Sequence, residues 1–198
     1  MNLQERVTRI LKQPKVEWPV IESEPTDIAT LYRSYIAPLA AIPAICGLIG
    51  LVVIGSSVPL VGRYRFGIAE ALRIEVFQYV GQLIGCFVSA FIIAKLGPTF
   101  NSRDDQIQAL KLVAYSNTPV WVAGVLNLIP ALAVLIIFAA IYAVYLYYLG
   151  VPVLMKTPAE KVIPYMIVSV LVIIVVWFVI GAILGLAAGA ASYARPTL

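Results

Sequence analysis

In one long apolar run of the chain, Glu75, Gln78, Gln82, Gly85 and Ser89 recur at intervals of 3, 4, 3 and 4 residues. On a helix this set falls within an arc of about 80°. A carboxylate and two amides on so narrow a face can hold an ion or a polar solute, or can hydrogen-bond a neighbouring helix. The plainest reading of Glu75, near the end of its run, is that it reaches the lipid headgroups. For Gln78 and Gln82 it is bonding between helices. The next apolar run carries a second set, Tyr115, Asn117 and Asn127, and is interrupted by Pro119 and Pro130. Pro119 lacks the N–H that would bond the carbonyl of residue 115, and Asn117 and Thr118 stand where they can satisfy the loosened groups. Interrupted helices line transport sites in some proteins and are simple kinks in others. The candidate polar intramembrane site is therefore Glu75, Gln78, Gln82, Tyr115, Asn117 and Asn127, with helix breaks at Pro119 and Pro130.

Other chemistries find little to work with. The chain has no histidine, which removes the commonest general base and metal ligand. Cys46 and Cys86 lie in separate apolar runs and form no paired-cysteine motif. No nucleophile stands beside a base and no acids are paired. Neither catalytic residues nor a cofactor or metal site are expected.

The elements that must position these residues are membrane helices. Of 198 residues, 62% are hydrophobic and 12% charged, and the mean hydropathy is +0.96. Soluble domains carry about 25% charged residues. The apolar runs have the roughly 20 residues that cross about 30 Å of hydrocarbon as a helix, and the alternation of a β-barrel is missing. The expected fold is all-α, a bundle of five transmembrane helices preceded by a short amphipathic helix. The five runs are 34–54, 74–94, 112–128, a fourth from Pro130 to about Gly150, and a fifth within 165–190. Pro130 is expected to open the fourth run at its first helical position, and Thr157-Pro158-Ala159-Glu160 reads as a capping box before the fifth.

Residues 1–33 are read as an N-terminal segment, 34–190 as the membrane domain and 191–198 as a short tail. In the first of these, Leu3, Val7, Ile10 and Leu11 share a helical face beside Arg6, Arg9 and Lys12. That pattern suits a helix lying in the headgroups of an anionic leaflet. Trp18 reads as an interfacial anchor in the acidic linker that follows. With the N-terminus inside, ten of the 14 Lys and Arg residues fall on inner segments; Arg63, Arg65, Arg73 and Arg195 fall outside. The excess sets a cytoplasmic N-terminus and an outer C-terminus. Basic residues that flank spans in this way speak for membrane topology and against nucleic acid.

Small residues mark close helix packing: Gly81, Gly85 and Ser89 in the second run, Gly181, Gly185 and Gly189 in the fifth. Their contacts are expected within the protomer or across a homo-oligomer. Tyr142, Tyr145, Tyr147 and Tyr148 read as an interfacial aromatic belt.

Three stretches together resemble the Yip family of Ypt/Rab-interacting membrane proteins, in its prokaryotic branch. They are Ala114-Tyr115-Ser116-Asn117-Thr118-Pro119, the hairpin Leu128-Ile129-Pro130, and the segment from Tyr145 to Met155, YLYYLGVPVLM. The N-terminal pattern of Arg9-Ile10-Leu11-Lys12-Gln13-Pro14 with Trp18-Pro19 and Ile21 agrees. The resemblance implies a five-span protein with a cytoplasmic N-terminus, resident in a prokaryotic cytoplasmic membrane. Eukaryotic members are associated with vesicle trafficking, membrane shaping and binding to Rab GTPases. This chain has a shorter N-terminal tail and no Asp-Leu-Tyr-Gly-Pro motif, which argues against a Rab-type partner. The family supplies no catalytic residues.

Two functions follow from these readings. The first is a non-enzymatic membrane organiser or partner-binding scaffold, in contact with the bilayer and with protein partners or copies of itself. The second is a small transporter or channel built on the polar stripe and the broken third run. A cavity reaching Gln82 and Asn117 favours the second, and dry packing there favours the first. An intramembrane enzyme is the weakest reading.

Overall fold

A computed structural model describes the backbone of residues 2–58 and 62–193, without the side chains at 56–58, 62–64, 180 and 183–193. Gly185, Gly189, Arg195 and the tail at 191–198 were singled out in the sequence; the surroundings of Gly185 and Gly189, and residues 194–198 altogether, lie outside what is described.

Among the described residues four helical runs are long and apolar enough to cross a membrane: Ile28–Ile54, Ile68–Phe100, Pro130–Leu154 and Ala159–Val179. The first joins α3 (Ile28–Leu31), a π-helical turn and α4 (Ala37–Ile49). It ends where Gly55 takes a φ of 79° and its N–H closes on the carbonyl of Gly50, a left-handed stop that glycine makes cheaply. The loop that follows is a short antiparallel hairpin of β1 (Ser56–Val58) and β2 (Gly62–Tyr64), with Ser57 opposite Arg63. The second run is α5 (Ile68–Leu96) with one 3₁₀ turn, closed by Asn101 at φ 56°. The third and fourth are α8 (Ile136–Leu154), preceded by a 3₁₀ stretch that Pro130 opens, and α9 (Ala159–Tyr193).

The run expected at 112–128 is not one helix. It divides into α6 (Gln106–Ser116), α7 (Thr118–Ala123) and a 3₁₀ segment, Gly124–Leu128. The cause is Pro119 in the first turn of α7, together with Gly124 and the turn before Pro130. Glycine also lets the segment pack closely on the first run. A Cβ at Gly124 would lie 2.6 Å from Cβ of Pro43, and one at Gly50 would run into the backbone carbonyl of Asn127.

The expected capping box does not form as read. The Thr157 hydroxyl receives a bond from Ser102 at 2.8 Å, and α9 begins at Ala159, after Pro158. The N-terminal segment departs further from expectation. Helices α1 (Leu3–Lys12) and α2 (Pro14–Ser23) lie against the bundle, with Ile10, Trp18 and Ile21 buried in its core. Leu3, Val7 and Leu11 pack against the same core instead of facing headgroups. Trp18 is fully buried over Gly150, whose added Cβ would stand 2.8 Å from the indole. Outward faces of α5, α8 and α9 carry Phe91, Phe138, Ile141 and Phe178, as helices in hydrocarbon require.

Replacing Gly50 with alanine should destabilise the protein by about 1–3 kcal/mol, since the new methyl meets backbone that cannot swing aside. Gly67→Ala, where no described atom lies within 4 Å, should cost less, about 1 kcal/mol at most from the N-cap of α5. Thermal unfolding of both variants in the same detergent checks the contrast, and equal melting would refute the close approach.

Candidate functional site

The break at Asn117 brings the polar residues together. Asn117 ends α6 and its carbonyl accepts the N–H groups of Val120 and Trp121, restarting the chain as α7. The Thr118 hydroxyl bonds the Tyr115 carbonyl at 2.8 Å and lies 2.7 Å from the Tyr35 hydroxyl. The carbonyl freed by Pro119 is thus satisfied from beside the break, as its chemistry demands.

Beyond the break opens a cleft of about 750 Å³ between α4, α5, the broken run, α8 and α9. Gln78, Gln82, Asn117 and Asn127 all line it, with Phe77 and Trp177 among its apolar walls. Gln82 is half-buried and its Oε1 accepts the Trp121 indole N–H at 2.9 Å. The Asn127 amide reaches the Pro43 carbonyl at 3.5 Å. Gln78 is exposed on the cleft, not turned into a packed interface, and its amide and that of Asn117 bond no other described residue. Among the described residues the lining holds no Asp, Glu, Lys or Arg. Such a surface offers amide donors and acceptors to a neutral molecule.

Two expected members lie elsewhere. Glu75 is not among the residues that line the cleft. It is 7% exposed and wedged against Gly47 of α4, beside a second hollow of about 200 Å³, with Oε2 unpartnered among the described residues. Tyr115 stands on the other side of the break in an aromatic cluster. Its ring centroid is 4.3 Å from that of Tyr35 and 6.4 Å from Trp18, with the Arg6 guanidinium 5.7 Å above it.

The packing residues divide in the same way. Gly85 lets the Trp177 ring approach, so that an added Cβ would lie 2.9 Å away, and Ser89 is buried. Gly81 is buried at the cleft wall. At Gly181 an added Cβ would meet no atom of the described residues within 4 Å, and the residue opens onto the cleft. Of the tyrosine belt, Tyr145 and Tyr148 are exposed. Tyr147 is buried on the Ser169 hydroxyl at 2.8 Å, and Tyr142 donates to the Leu11 carbonyl at 2.7 Å.

Sequence reasoning missed a second polar cluster, which fastens α1 and α2 to the bundle. Arg6 is 5% exposed and bonds Glu17 at 2.6 Å and Glu24 as well. The Lys111 ammonium donates to the carbonyls of Ile21 and Glu24 at 2.7 and 2.6 Å, where α2 ends. Cations are favoured at such a terminus. Glu22 bridges Arg103 at 2.7 Å and Lys156 at 3.1 Å. The only signal in the sequence was an acidic linker facing basic loops, and that pattern fixes no register.

An integral membrane protein of helices with an uncharged internal cleft is therefore the class that fold and site define. The Yip1 domain model matches residues 8–193, and the chain belongs to that family. It is 26% identical to the inner membrane protein YohC of Escherichia coli strain K12 over 155 residues, 77% of this chain and 80% of that protein. The same figures hold for YohC of E. coli O6:H1. No solved structure matches the chain.

Hydrogen bonding to Arg103, and next to Lys156, holds the Glu22 carboxyl below the ordinary carboxylate range. A depressed carboxylate contributes stability above its ordinary pKa and loses it as pH falls through the lowered one. Acidification below about pH 4 should therefore loosen α2 and red-shift Trp18 emission in a Trp121→Phe/Trp177→Phe background. Glu22→Gln should flatten that part of the transition, and an identical acid transition in the two proteins would remove Glu22 from the latch.

Proposed function

We propose that the chain is a non-enzymatic membrane-organising scaffold in a prokaryotic cytoplasmic membrane, working by binding partners at its inner face. In this reading it crosses the bilayer five times, with the N-terminus inside and the C-terminus outside. The broken run supplies the fifth crossing. Its helical and 3₁₀ parts together extend about 35 Å, enough for about 30 Å of hydrocarbon. The excess of Lys and Arg on the inner segments supports the orientation, and YohC's description as an inner membrane protein supports the location.

One observation carries the scaffold reading. Residues 3–24 are not a loose tail but a folded cap, pinned by Arg6, Lys111 and Glu22. Arg9, Lys12 and Lys15 remain exposed on it, and Val16 is 65% exposed. A preformed basic and apolar surface binds an acidic partner with little ordering cost. Changing Arg9, Lys12 and Lys15 together to serine touches no buried contact. In pull-downs from native membranes the variant should lose most of what co-purifies with the parent protein; an unchanged set of partners would overturn the scaffold role of the cap.

A second reading, a small transporter or channel, is favoured by the cleft itself, which reaches both Gln82 and Asn117. It predicts that proteoliposomes containing the chain pass a small uncharged solute such as glycerol faster than empty vesicles. Gly181→Leu should return the rate to that of the lipid alone, and equal rates for protein and empty vesicles would dismiss carriage.

A further inference from the structure

We infer that the cleft is a binding site for an uncharged amphiphile, with a hydroxyl- or amide-bearing head and an apolar body. The inference deepens the transport reading by naming the class of molecule, and it stands whether that molecule is moved or only held. It rests on four features of the site.

The first is polarity without charge. Gln78, Gln82, Asn117 and Asn127 converge on one space, and two of these amides, on Gln78 and Asn117, have no partner among the described residues. Each unmatched amide in hydrocarbon costs several kcal/mol, so a ligand that bonds them gains what the lipid withholds. The second is depth. Along α5, Gln78 and Gln82 lie about 15 and 21 Å from Ile68, well inside the candidate span. A charged headgroup brought to that depth meets no counter-charge among the described lining residues and pays a desolvation cost; hydroxyls or amides meet side-chain amides of matching chemistry.

The third feature is size. About 750 Å³ falls in the range of small-molecule sites. A helix about 10 Å across would fill it in roughly two turns, which is too short for a docked transmembrane segment or a second copy of the chain. The fourth is the apolar wall. Phe77 and Trp177 flank the amides, so the head and body of an amphiphile each find a matching surface.

The test uses the full chain in phosphatidylcholine nanodiscs and a monoacylglycerol whose acyl chain is dibrominated, because bromine quenches tryptophan on contact. Two of the three tryptophans serve as reporters: Trp177 lines the cleft and Trp121 bonds Gln82. Quenching should saturate at low mole fraction of the monoacylglycerol. The same brominated chain on phosphatidylglycerol should quench only in proportion to its abundance. Gln82→Leu with Asn117→Leu should weaken the saturable component about tenfold. Gly181→Leu adds a side chain on the cleft side where no described atom lies within 4 Å of the new Cβ, and should abolish it while leaving the fold intact. Equal quenching by the two brominated lipids would overturn the inference, as would saturable quenching that survives Gly181→Leu. Should the double variant fail to fold, Gly181→Leu decides alone. Saturable binding without faster transbilayer movement of the monoacylglycerol, and without glycerol flux, in proteoliposomes would end the transport reading and leave the site standing.

Discussion

A backbone that breaks its helix in hydrocarbon must be repaired by protein atoms, because lipid supplies no donors or acceptors. Here the break falls between Ser116 and Thr118, and most of the architecture is its repair. Thr118 closes on the Tyr115 carbonyl, Tyr35 meets the Thr118 hydroxyl, and Asn117 takes up two N–H groups of α7. These bonds fix the direction in which α7 leaves α6. The direction in turn sets Gly124 on Pro43, seats Asn127 against Gly50, and leaves the cleft between the broken run and α5.

The same break organises the opposite side. Tyr115, held by the repair, packs at a tilt on Tyr35, meets Trp18 edge-on and lies beneath the Arg6 guanidinium. Burying Arg6 is tolerable only because Glu17 and Glu24 receive it; a buried cation stripped of its partners would cost several kcal/mol. Lys111 is tied down by carbonyls at the end of α2, whose remaining bonds it completes. Charge and aromatic contact thus make the cap part of the folded body, although its sequence is the most polar in the chain.

What could be read from the amino acids followed from local rules. Helical periodicity and hydropathy located the runs around Ile28–Ile54, Ile68–Phe100, Pro130–Leu154 and Ala159–Val179. Rules for proline foresaw the break at Pro119 and the new start at Pro130. Pairing between distant segments was not legible. Glu75 shares an arc with Gln82 yet lodges against Gly47, because α5 passes two different neighbours along its length. Trp18 has the composition of an interfacial anchor, but Gly150, some 130 residues on, leaves room for it in the core. Gly181 belongs to a small-residue repeat that suggests contact, whereas its described surroundings are empty. Periodicity states which face a residue occupies and is silent about what lies opposite.

Cap and cleft are joined by one element. Helix α6 carries Lys111 and Tyr115 on its way to Asn117, so the residues that hold α2 and the residue that lines the cleft lie within two turns of rigid helix. Cap and cleft thus meet on one helix, and linkage requires any influence between them to act equally in both directions. The proposed scaffold surface and the proposed cleft ligand are compatible readings, because they draw on different residues of that helix and its C-cap.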